Sequence, residues 1–281
     1  MARTQSKGNY LEFGKYVTTE TPIALTIAGS DSSSGAGLQA DLKTFTAAEV
    51  YGLTVATAVV AENPLEVRLI EPVSTVVLEA QLDLLFACYP IASVKTGMLP
   101  NAEQITVITK HLETWKSSHP NGNLVVDPII QSSTGSPLIK PGALTCLVDQ
   151  LLPMADLITP NIPEAKTLLG AETTDPEKLG SDLAARFDAA ALLKGGHGSS
   201  NTTASDLLIT EDGITCYETN RIPGGHRLHG TGCTLSAAIT AYLAQGNALE
   251  DAVAHGKAYI TNAISHAFHW GPDLAALGRP R

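Results

Sequence analysis

The stretch His229-Gly230-Thr231-Gly232-Cys233-Thr234-Leu235-Ser236-Ala237-Ala238-Ile239 predicts a glycine-containing loop that runs directly into a helix. Gly230 and Gly232 allow the backbone to turn and to approach a ligand without a side chain in the way. The first turn of the helix offers backbone N–H groups without an intrahelical partner and the positive end of the helix dipole. The stretch therefore predicts an anion site, most usefully for phosphate. A plain tight turn before an alanine-rich helix would have a similar sequence, so the other motifs must decide between the two.

Cys233 falls in the first turn of this predicted helix. A thiol at a helix N-terminus loses its proton more easily than a thiol in water. We therefore expect Cys233 to serve as a base or nucleophile beside the loop. His229, which precedes the loop, would contact phosphate or tune Cys233, or would be a plain turn residue. Cys88 and Cys146 are expected to be small buried apolar residues.

Length and composition indicate one large α/β domain. The chain has 281 residues, of which 44% are hydrophobic and 16% charged, and its formal net charge of −10 argues against nucleic acid as a partner. We interpret residues 1–20, which are polar, as a flexible leader and residues 21–281 as a single domain. No apolar run is long enough to predict a membrane helix, so no membrane partner is expected. Four cysteines without a CxxC pair suggest a reducing, cytoplasmic setting.

Strand and helix patterns alternate along most of the chain. An Asp212-Gly213 pair then predicts a hairpin, and two helices close the chain. This order predicts a mainly parallel sheet with helices on both faces, which binds ligands at the carboxyl ends of its strands. The predicted strands are 24–29, 53–61, 91–95, 124–126, 156–159, 190–194, 205–210 and 213–218, and the predicted helices are 37–48, 75–87, 101–115, 141–152, 164–169, 176–187, the helix after residue 233 and 249–268.

Several polar side chains follow these strands directly. Asp127 is suited to hold Mg²⁺ through water, or makes a turn before Pro128. Asn161 and Glu164 lie three residues apart, where Asn161 would bind a phosphate oxygen and Glu164 a metal-bound water. The same spacing is also that of a helix cap followed by a first-turn glutamate.

The segment Lys194-Gly195-Gly196-His197 also ends a predicted strand. Its glycines would let a nucleotide lie on the backbone, and Lys194 would balance phosphate charge, although a simple turn would have the same pattern. Asp41 and Glu62 are candidates for substrate recognition, because a carboxylate accepts hydrogen bonds from an amino group or ring N–H. Met98 offers a soft surface to a flat ring. The alternatives are a solvated helix aspartate for Asp41 and a core residue for Met98.

Taken together, these motifs are similar to those of the hydroxymethylpyrimidine kinases of thiamine biosynthesis, which belong to the ribokinase-like superfamily. The resemblance extends over roughly residues 22–268. The motifs that carry it are Thr26-Ile27-Ala28-Gly29-Ser30-Asp31, Gly35-Ala36-Gly37-Leu38-Gln39-Ala40-Asp41-Leu42-Lys43-Thr44, Lys95-Thr96-Gly97-Met98, Thr159-Pro160-Asn161-Ile162-Pro163-Glu164-Ala165, Leu193-Lys194-Gly195-Gly196-His197 and His229 to Ser236.

The resemblance implies a three-layer ribokinase-like fold and a kinase that is often a homodimer. It would use Mg-ATP to phosphorylate 4-amino-5-hydroxymethyl-2-methylpyrimidine and then convert the monophosphate to the diphosphate. Cys233 would replace the catalytic aspartate of the superfamily, and we expect it to accept the hydroxyl proton. The resemblance and the motifs together assign the pyrimidine to Gly29, Asp41, Glu62, Met98 and Ile129, the phosphoryl group to Gly230, Thr231, Gly232 and Cys233, ATP to Asn161, Lys194, Gly196, His197 and His229, and Mg²⁺ to Asp127 and Glu164.

Two segments depart from the family pattern. Ser133-Thr134-Gly135 stands where many members have Lys-Ser-Gly, and Arg227-Leu228-His229 stands where they often have Asn-Thr-His. The lost lysine most affects the second phosphorylation, although Arg227 is a candidate to replace its charge. Pyridoxal kinase, with the same fold, is the alternative activity, but a phenolic oxygen would repel Glu62. A non-catalytic pyrimidine-binding protein is the alternative of another class.

Overall fold

The central sheet of this computed structural model has nine strands within the residues it describes, which are 21–132, 135–140, 142–195, 202–225, 228–271 and 274–278. The strand order is β3-β2-β1-β4-β5-β6-β7-β8-β9. The six adjacent strands β2, β1, β4, β5, β6 and β7 are parallel, and β3, β8 and β9 add antiparallel edges. The strands are β1 (Ile23–Asp31), β2 (Tyr51–Asn63), β3 (Glu66–Pro72), β4 (Ser93–Thr96), β5 (Asn123–Val126), β6 (Leu157–Ile158), β7 (Ala190–Lys194), β8 (Thr203–Thr210) and β9 (Gly213–Asn220), with a separate pair β10 (Phe268–His269) and β11 (Ala275–Ala276).

Helices cover both faces of the sheet, so the molecule has three layers. Apolar side chains of α2 to α6 pack on one face, and those of α1, α7 and α8 pack on the other. Each fully buried aliphatic side chain contributes about 1.5–3 kcal/mol. The helices are α1 (Gly37–Ala47), α2 (Thr75–Cys88), α3 (Ala102–Ser118), α4 (Ala143–Cys146), α5 (Ile162–Leu169), α6 (Pro176–Phe187), α7 (Thr231–Ala244) and α8 (Leu249–Ser265).

The point at which the strand order reverses locates the ligand cavity. Strand β1 lies between β2 and β4, so the chain crosses from β1 to β2 on one side and later, after β3, returns to β4 on the other side of β1. In an open parallel sheet the carboxyl ends of the strands at such a point border a crevice. The residues at these ends are Asp31 of β1 and Gly97 after β4.

The predicted α/β architecture is confirmed, including the hairpin at Asp212-Gly213, where Thr210 pairs with Gly213. Strand β3 had no counterpart in the sequence analysis, because its alternating pattern lies on an exposed edge. The predicted helix 141–152 is irregular: α4 continues as a π-helix over Leu147–Leu151 and a 3₁₀ turn over Leu152–Met154. The leader, residues 1–20, lies outside the described residues.

Within the described part of the chain, none of the helices combines the length and apolar character that crossing a bilayer requires. The prediction that Cys88 is buried is wrong, because this last residue of α2 is exposed, and Cys146 is only partly buried.

Candidate active site

A cavity of about 720 Å³ lies at the carboxyl ends of the strands, a size that suits a small substrate with a nucleotide. Most side chains that the sequence analysis singled out lie on its wall. The structure brings together Glu62, Met98, Asp127, Ile129, Asn161, Glu164, Lys194, His229, Gly230, Thr231, Gly232 and Cys233. Gly196 and His197 fall outside the described residues, as do Ser133, Thr134 and Arg227.

The glycine stretch forms the N-terminus of α7, as predicted. Gly230 is the N-cap residue with a φ of 82°, a left-handed conformation that favours glycine. A Cβ atom on Gly230 would lie 1.8 Å from the carbonyl oxygen of Gly35, so the close approach of these two loops also requires glycine. The first backbone N–H groups of α7 have no acceptor inside the helix, and Gly230 to Cys233 line the cavity, an arrangement that suits an anion site.

Cys233 lies in the first turn of α7 and is largely buried. Burial raises the pKa of its thiol to about 12, and Lys95 lowers it only in part. The prediction that the helix N-terminus makes this thiol more acidic than in water is therefore wrong. The helix dipole favours an anion by about 0.3–2 kcal/mol, whereas full burial can shift a pKa by about 3–5 units against the charged form, which is a larger effect.

Two residues assigned to the pyrimidine lie behind the cavity wall. Asp41 is completely buried, and its Oδ2 accepts hydrogen bonds from Lys95 Nζ at 2.8 Å and from the Thr26 hydroxyl at 2.6 Å. The alternative of a solvated helix aspartate is therefore wrong, and it is Lys95, the ion-pair partner of Asp41, that lines the cavity. Gly29 is buried behind Met98, whose Sδ would be 3.2 Å from a Cβ at that position.

Asp127, Glu164 and Lys194 form one group of charges at the ends of β5, β6 and β7. Lys194 Nζ lies 2.8 Å from Asp127 Oδ1 and 3.9 Å from Glu164 Oε2. Burial would raise the pKa of Asp127, but Lys194 and Lys95 hold it below its usual value. Burial raises the pKa of Glu164 to about 7. Lys194 stays protonated, since the two carboxylates outweigh the effect of burial.

The spacing of Asn161 and Glu164 proves to be a helix cap. The Asn161 side chain accepts from the Glu164 N–H, and the Glu164 carboxylate accepts from the Asn161 N–H, each at 2.8 Å. Both residues nevertheless line the cavity. The capping reading and the site reading are therefore compatible.

The donor set at this place suits Mg²⁺ through water rather than by direct ligation. Asp127 Oδ1 binds Lys194, and its Oδ2 accepts the Ser236 hydroxyl at 3.0 Å. An ammonium group thus occupies the position between the two carboxylates. Mg²⁺ keeps several of its waters in phosphate sites, and Asp127 and Glu164 have carboxylate oxygens to accept from such waters.

Asp31, Glu62 and His229 form a second cluster beside the cavity, with one polar atom from each within 4.8 Å of the others. Burial raises the pKa of Glu62 to about 7, helped by Asp31. His229 Nε2 lies 3.2 Å from Asp31 Oδ2. Burial opposes the charge on His229, but the hydrogen bond to Asp31 raises the pKa of the imidazole. Asp31 also accepts three backbone N–H groups, which assigns it to its own loop rather than to a metal ion.

Charged residues that the sequence analysis did not assign also border the site. Lys95 is fully buried beneath the cavity. Lys257 on α8 pairs with Asp206 on β8 at 2.7 Å, and Asp206 also accepts the Gly195 N–H at 2.8 Å. A lysine inside the short, fully buried strand β4 was the available signal for Lys95. No local pattern marks the other pair, because its partners lie 51 residues apart.

The protein has a mainly parallel sheet between two helical layers, and a glycine loop at a helix N-terminus borders a cavity at the strand ends. This architecture is that of the ribokinase-like class of small-molecule kinases. A family model described as phosphomethylpyrimidine kinase matches residues 31–277. The hydroxymethylpyrimidine/phosphomethylpyrimidine kinase of Haemophilus influenzae is 42% identical over 253 residues, which are 88% of this chain and 92% of that protein. The chain therefore belongs to the phosphomethylpyrimidine kinase family.

Solved structures agree with this assignment. The phosphomethylpyrimidine kinase of Clostridium difficile 630 is 38% identical with a TM-score of 0.75, and the match covers 87% of this chain and 100% of that one. An ADP complex of Bacillus subtilis pyridoxal kinase has a TM-score of 0.82 at 33% identity, covering 92% of this chain and 97% of that one. The fold is common to both activities, so the side chains on the cavity wall must distinguish them.

Proposed function

We propose that this chain transfers the γ-phosphoryl group of ATP to 4-amino-5-hydroxymethyl-2-methylpyrimidine and then to the resulting monophosphate, as a kinase of thiamine biosynthesis. The proposal depends on one observation, which is that a hydrogen-bond acceptor for an amino group and a glycine loop suited to an anion border the same cavity. Glu62 and Met98 border one part of the cavity, and Gly230 to Cys233 border another. The cavity thus offers an amino-group acceptor and a flat-ring surface together with a phosphoryl site.

Glu62 carries the choice between pyrimidine and pyridoxal. Its carboxylate would accept a hydrogen bond from the ring amino group, whereas it would repel the phenolic oxygen of pyridoxal. Because the pKa of Glu62 is about 7, a protonated fraction exists at neutral pH and would donate to that oxygen. Pyridoxal phosphorylation is therefore the second candidate activity, and it should be favoured at lower pH.

The charges around the cavity suit the transfer of a phosphoryl group in line between two oxygens. The bond from the γ-phosphorus to the β–γ bridging oxygen breaks, and a bond to the hydroxymethyl oxygen forms. Positioning and charge stabilisation dominate such reactions. The N–H groups of Gly230 to Cys233 would hold the moving phosphoryl group, and Lys194 and His229 would balance phosphate charge.

The hydroxyl proton needs a different acceptor from the one that the sequence suggested. At a pKa of about 12, the Cys233 side chain is a neutral thiol at physiological pH. We therefore assign Cys233 to contact with the hydroxymethyl group, not to proton abstraction. In a loose transition state the proton leaves late, so an oxygen of the transferred phosphoryl group can take it before release to solvent.

Mg²⁺ bound with ATP would be held through water by Asp127 and Glu164. It would neutralise phosphate charge. Lys194, already paired with Asp127 at 2.8 Å, supplies the fixed positive charge next to that position.

Product analysis by phosphorus NMR tests the proposal. The purified protein is incubated with Mg-ATP and either the aminopyrimidine alcohol or pyridoxal, at pH 6 and pH 8. We expect a pyrimidine diphosphate, and a pyrimidine-to-pyridoxal rate ratio that rises with pH as Glu62 loses its proton. A monophosphate alone would restrict the proposal to the first step. Faster pyridoxal phosphorylation at both pH values would transfer the assignment to the second candidate.

We also propose a homodimer in a reducing, cytoplasmic setting. Val76, Val77 and Leu84 on α2 are exposed and apolar, which is typical of an interface rather than of a free surface. All four cysteines carry free thiols. Sedimentation equilibrium should give twice the monomer mass, and Leu84→Glu should reduce it to the monomer mass. A monomeric wild type would refute the dimer.

A further inference from the structure

The loop between β1 and α1, residues 32–36, is built around the side chain of Asp31. This carboxylate is 1% exposed and accepts the backbone N–H groups of Ser33 at 2.7 Å, Gly35 at 2.9 Å and Ala36 at 2.7 Å. The Ser33 hydroxyl donates to it as well, at 2.8 Å. We call residues 32–36 the first loop and residues 229–233 the anion loop.

The same carboxylate also reaches the anion loop. Its Oδ2 lies 3.2 Å from Nε2 of His229, the residue directly before Gly230. The two loops are in close contact around this hydrogen bond. A Cβ on Gly35 would be 2.7 Å from His229 Cδ2, and a Cβ on Gly230 would be 1.8 Å from the Gly35 carbonyl oxygen. Only 11% of the His229 side chain is exposed.

Asp31 is not itself on the cavity wall, whereas His229 and Gly230 are. Any effect of Asp31 on a bound phosphoryl group therefore passes through another residue. Gly230 and Gly232 leave the anion loop conformationally free, because glycine has the widest range of backbone states. A loop that must present N–H groups to a transition state needs an external support, and misplacement by about 1 Å can cost on the order of a hundredfold in rate.

We propose that Asp31 is a positioning residue for phosphoryl transfer, which acts through His229 to fix the start of the anion loop against the first loop. The inference rests on the proposed phosphoryl transfer. Most of the hydrogen bonds that the Asp31 carboxylate accepts come from backbone groups of the first loop. Its remaining contact holds the His229 side chain in position.

A double-mutant cycle tests this role. We expect Asp31→Asn to lower kcat about tenfold or more, with KM for ATP and for the acceptor changing less than about threefold. If Asp31 acts through His229, the same substitution in a His229→Gln background should cost less than about twofold further. An equal loss in both backgrounds would show that Asp31 only maintains its own loop, and no loss would also overturn the proposal.

Asp83→Asn is the matched control. Asp83 on α2 pairs with His111 on α3 at 3.0 Å, so it is also an aspartate–histidine contact, but it lies on the exposed helical layer. Its removal should leave kcat unchanged. A comparable loss of activity there would mean that such substitutions act through general stability.

Gly35→Ala provides a second variant in case Asp31→Asn does not fold. The new methyl group would displace the His229 ring while the Asp31 carboxylate stays in place. We expect a similar fall in kcat with a circular dichroism spectrum like that of the wild type. Unchanged turnover in this variant would contradict a role for the position of His229.

Nitrogen NMR of the imidazoles separates this inference from the proposed function. The His229 signal is assigned by its loss in His229→Gln, and Asp31→Asn should shift it even if the wild type phosphorylates neither acceptor. An unchanged signal would overturn the Asp31–His229 contact, whereas a shifted signal without any turnover would refute only the kinase assignment.

Discussion

The protonation state of Cys233 gives the most direct test of the mechanism. With a pKa of about 12, the thiolate fraction is about 10⁻⁵ at pH 7 and grows tenfold with each pH unit up to the pKa. If the thiolate accepted the hydroxyl proton, kcat would rise about tenfold between pH 8 and pH 9. Glu62 and Glu164, whose pKa values are about 7, are already mostly ionised in that window. We expect kcat to change less than about threefold, because the thiol acts in its neutral form.

The assay is initial-rate phosphorylation at saturating ATP and acceptor, with wild type, Cys233→Ser and Cys233→Ala. Serine keeps a small hydroxyl in place of the thiol, so we expect its kcat to stay within about tenfold of wild type with the same pH profile. Alanine should lose more, since the contact with the hydroxymethyl group disappears. Cys88→Ser, at an exposed thiol, is the control. A tenfold rise per pH unit in wild type that is absent from Cys233→Ala would refute the neutral-thiol mechanism and restore the base.

Three further predictions test the site and its support. The KM for the pyrimidine should fall by up to about tenfold from pH 6 to pH 8 as Glu62 ionises, and Glu62→Gln should remove this pH dependence in steady-state assays. Lys95→Met should lower the free energy of unfolding by about 3–5 kcal/mol in urea titrations, because it leaves the Asp41 carboxylate buried without its ion-pair partner. Adding Asp41→Leu should recover most of this loss, and no recovery would contradict the pairing. Gly230→Ala should lower the free energy of unfolding by about 1–2 kcal/mol, because alanine is strained in a left-handed backbone, and should remove most of the kcat, because the new methyl group clashes with the first loop. Gly246→Ala, with a similar φ and open space around it, should lower the free energy of unfolding by a similar amount and leave kcat unchanged.

Local patterns were sufficient for much of the fold. The apolar segments at 24–29 and 190–194 became β1 and β7, and the Asp212-Gly213 pair became a hairpin turn. Strand β3 lacked such a signal because this edge strand has no buried residue and no continuous apolar run. The helix at 141–152 was recognised, but its π and 3₁₀ segments depend on neighbours that no local pattern reveals.

The candidate site divides in the same way. The glycine loop and the strand-end positions could be predicted from the sequence, because turns and strand ends are marked by local patterns. The environment of each charged group could not be predicted from the sequence. The sequence analysis assigned Asp41 to the substrate and predicted an acidic Cys233 thiol. In the structure Lys95 is paired with Asp41, and burial raises the pKa of Cys233.

The sequence by itself determined a parallel α/β sheet with a glycine loop at a helix N-terminus and a polar set at the strand ends. Only the tertiary structure decided which of those polar groups are charged, paired or hidden. Lys95 and Asp41 are 54 residues apart, and Asp31 and His229 are 198 apart. Periodicity and turn chemistry act between neighbours in the chain, whereas pKa values and ion pairs depend on burial and on distances that arise only when distant segments pack together.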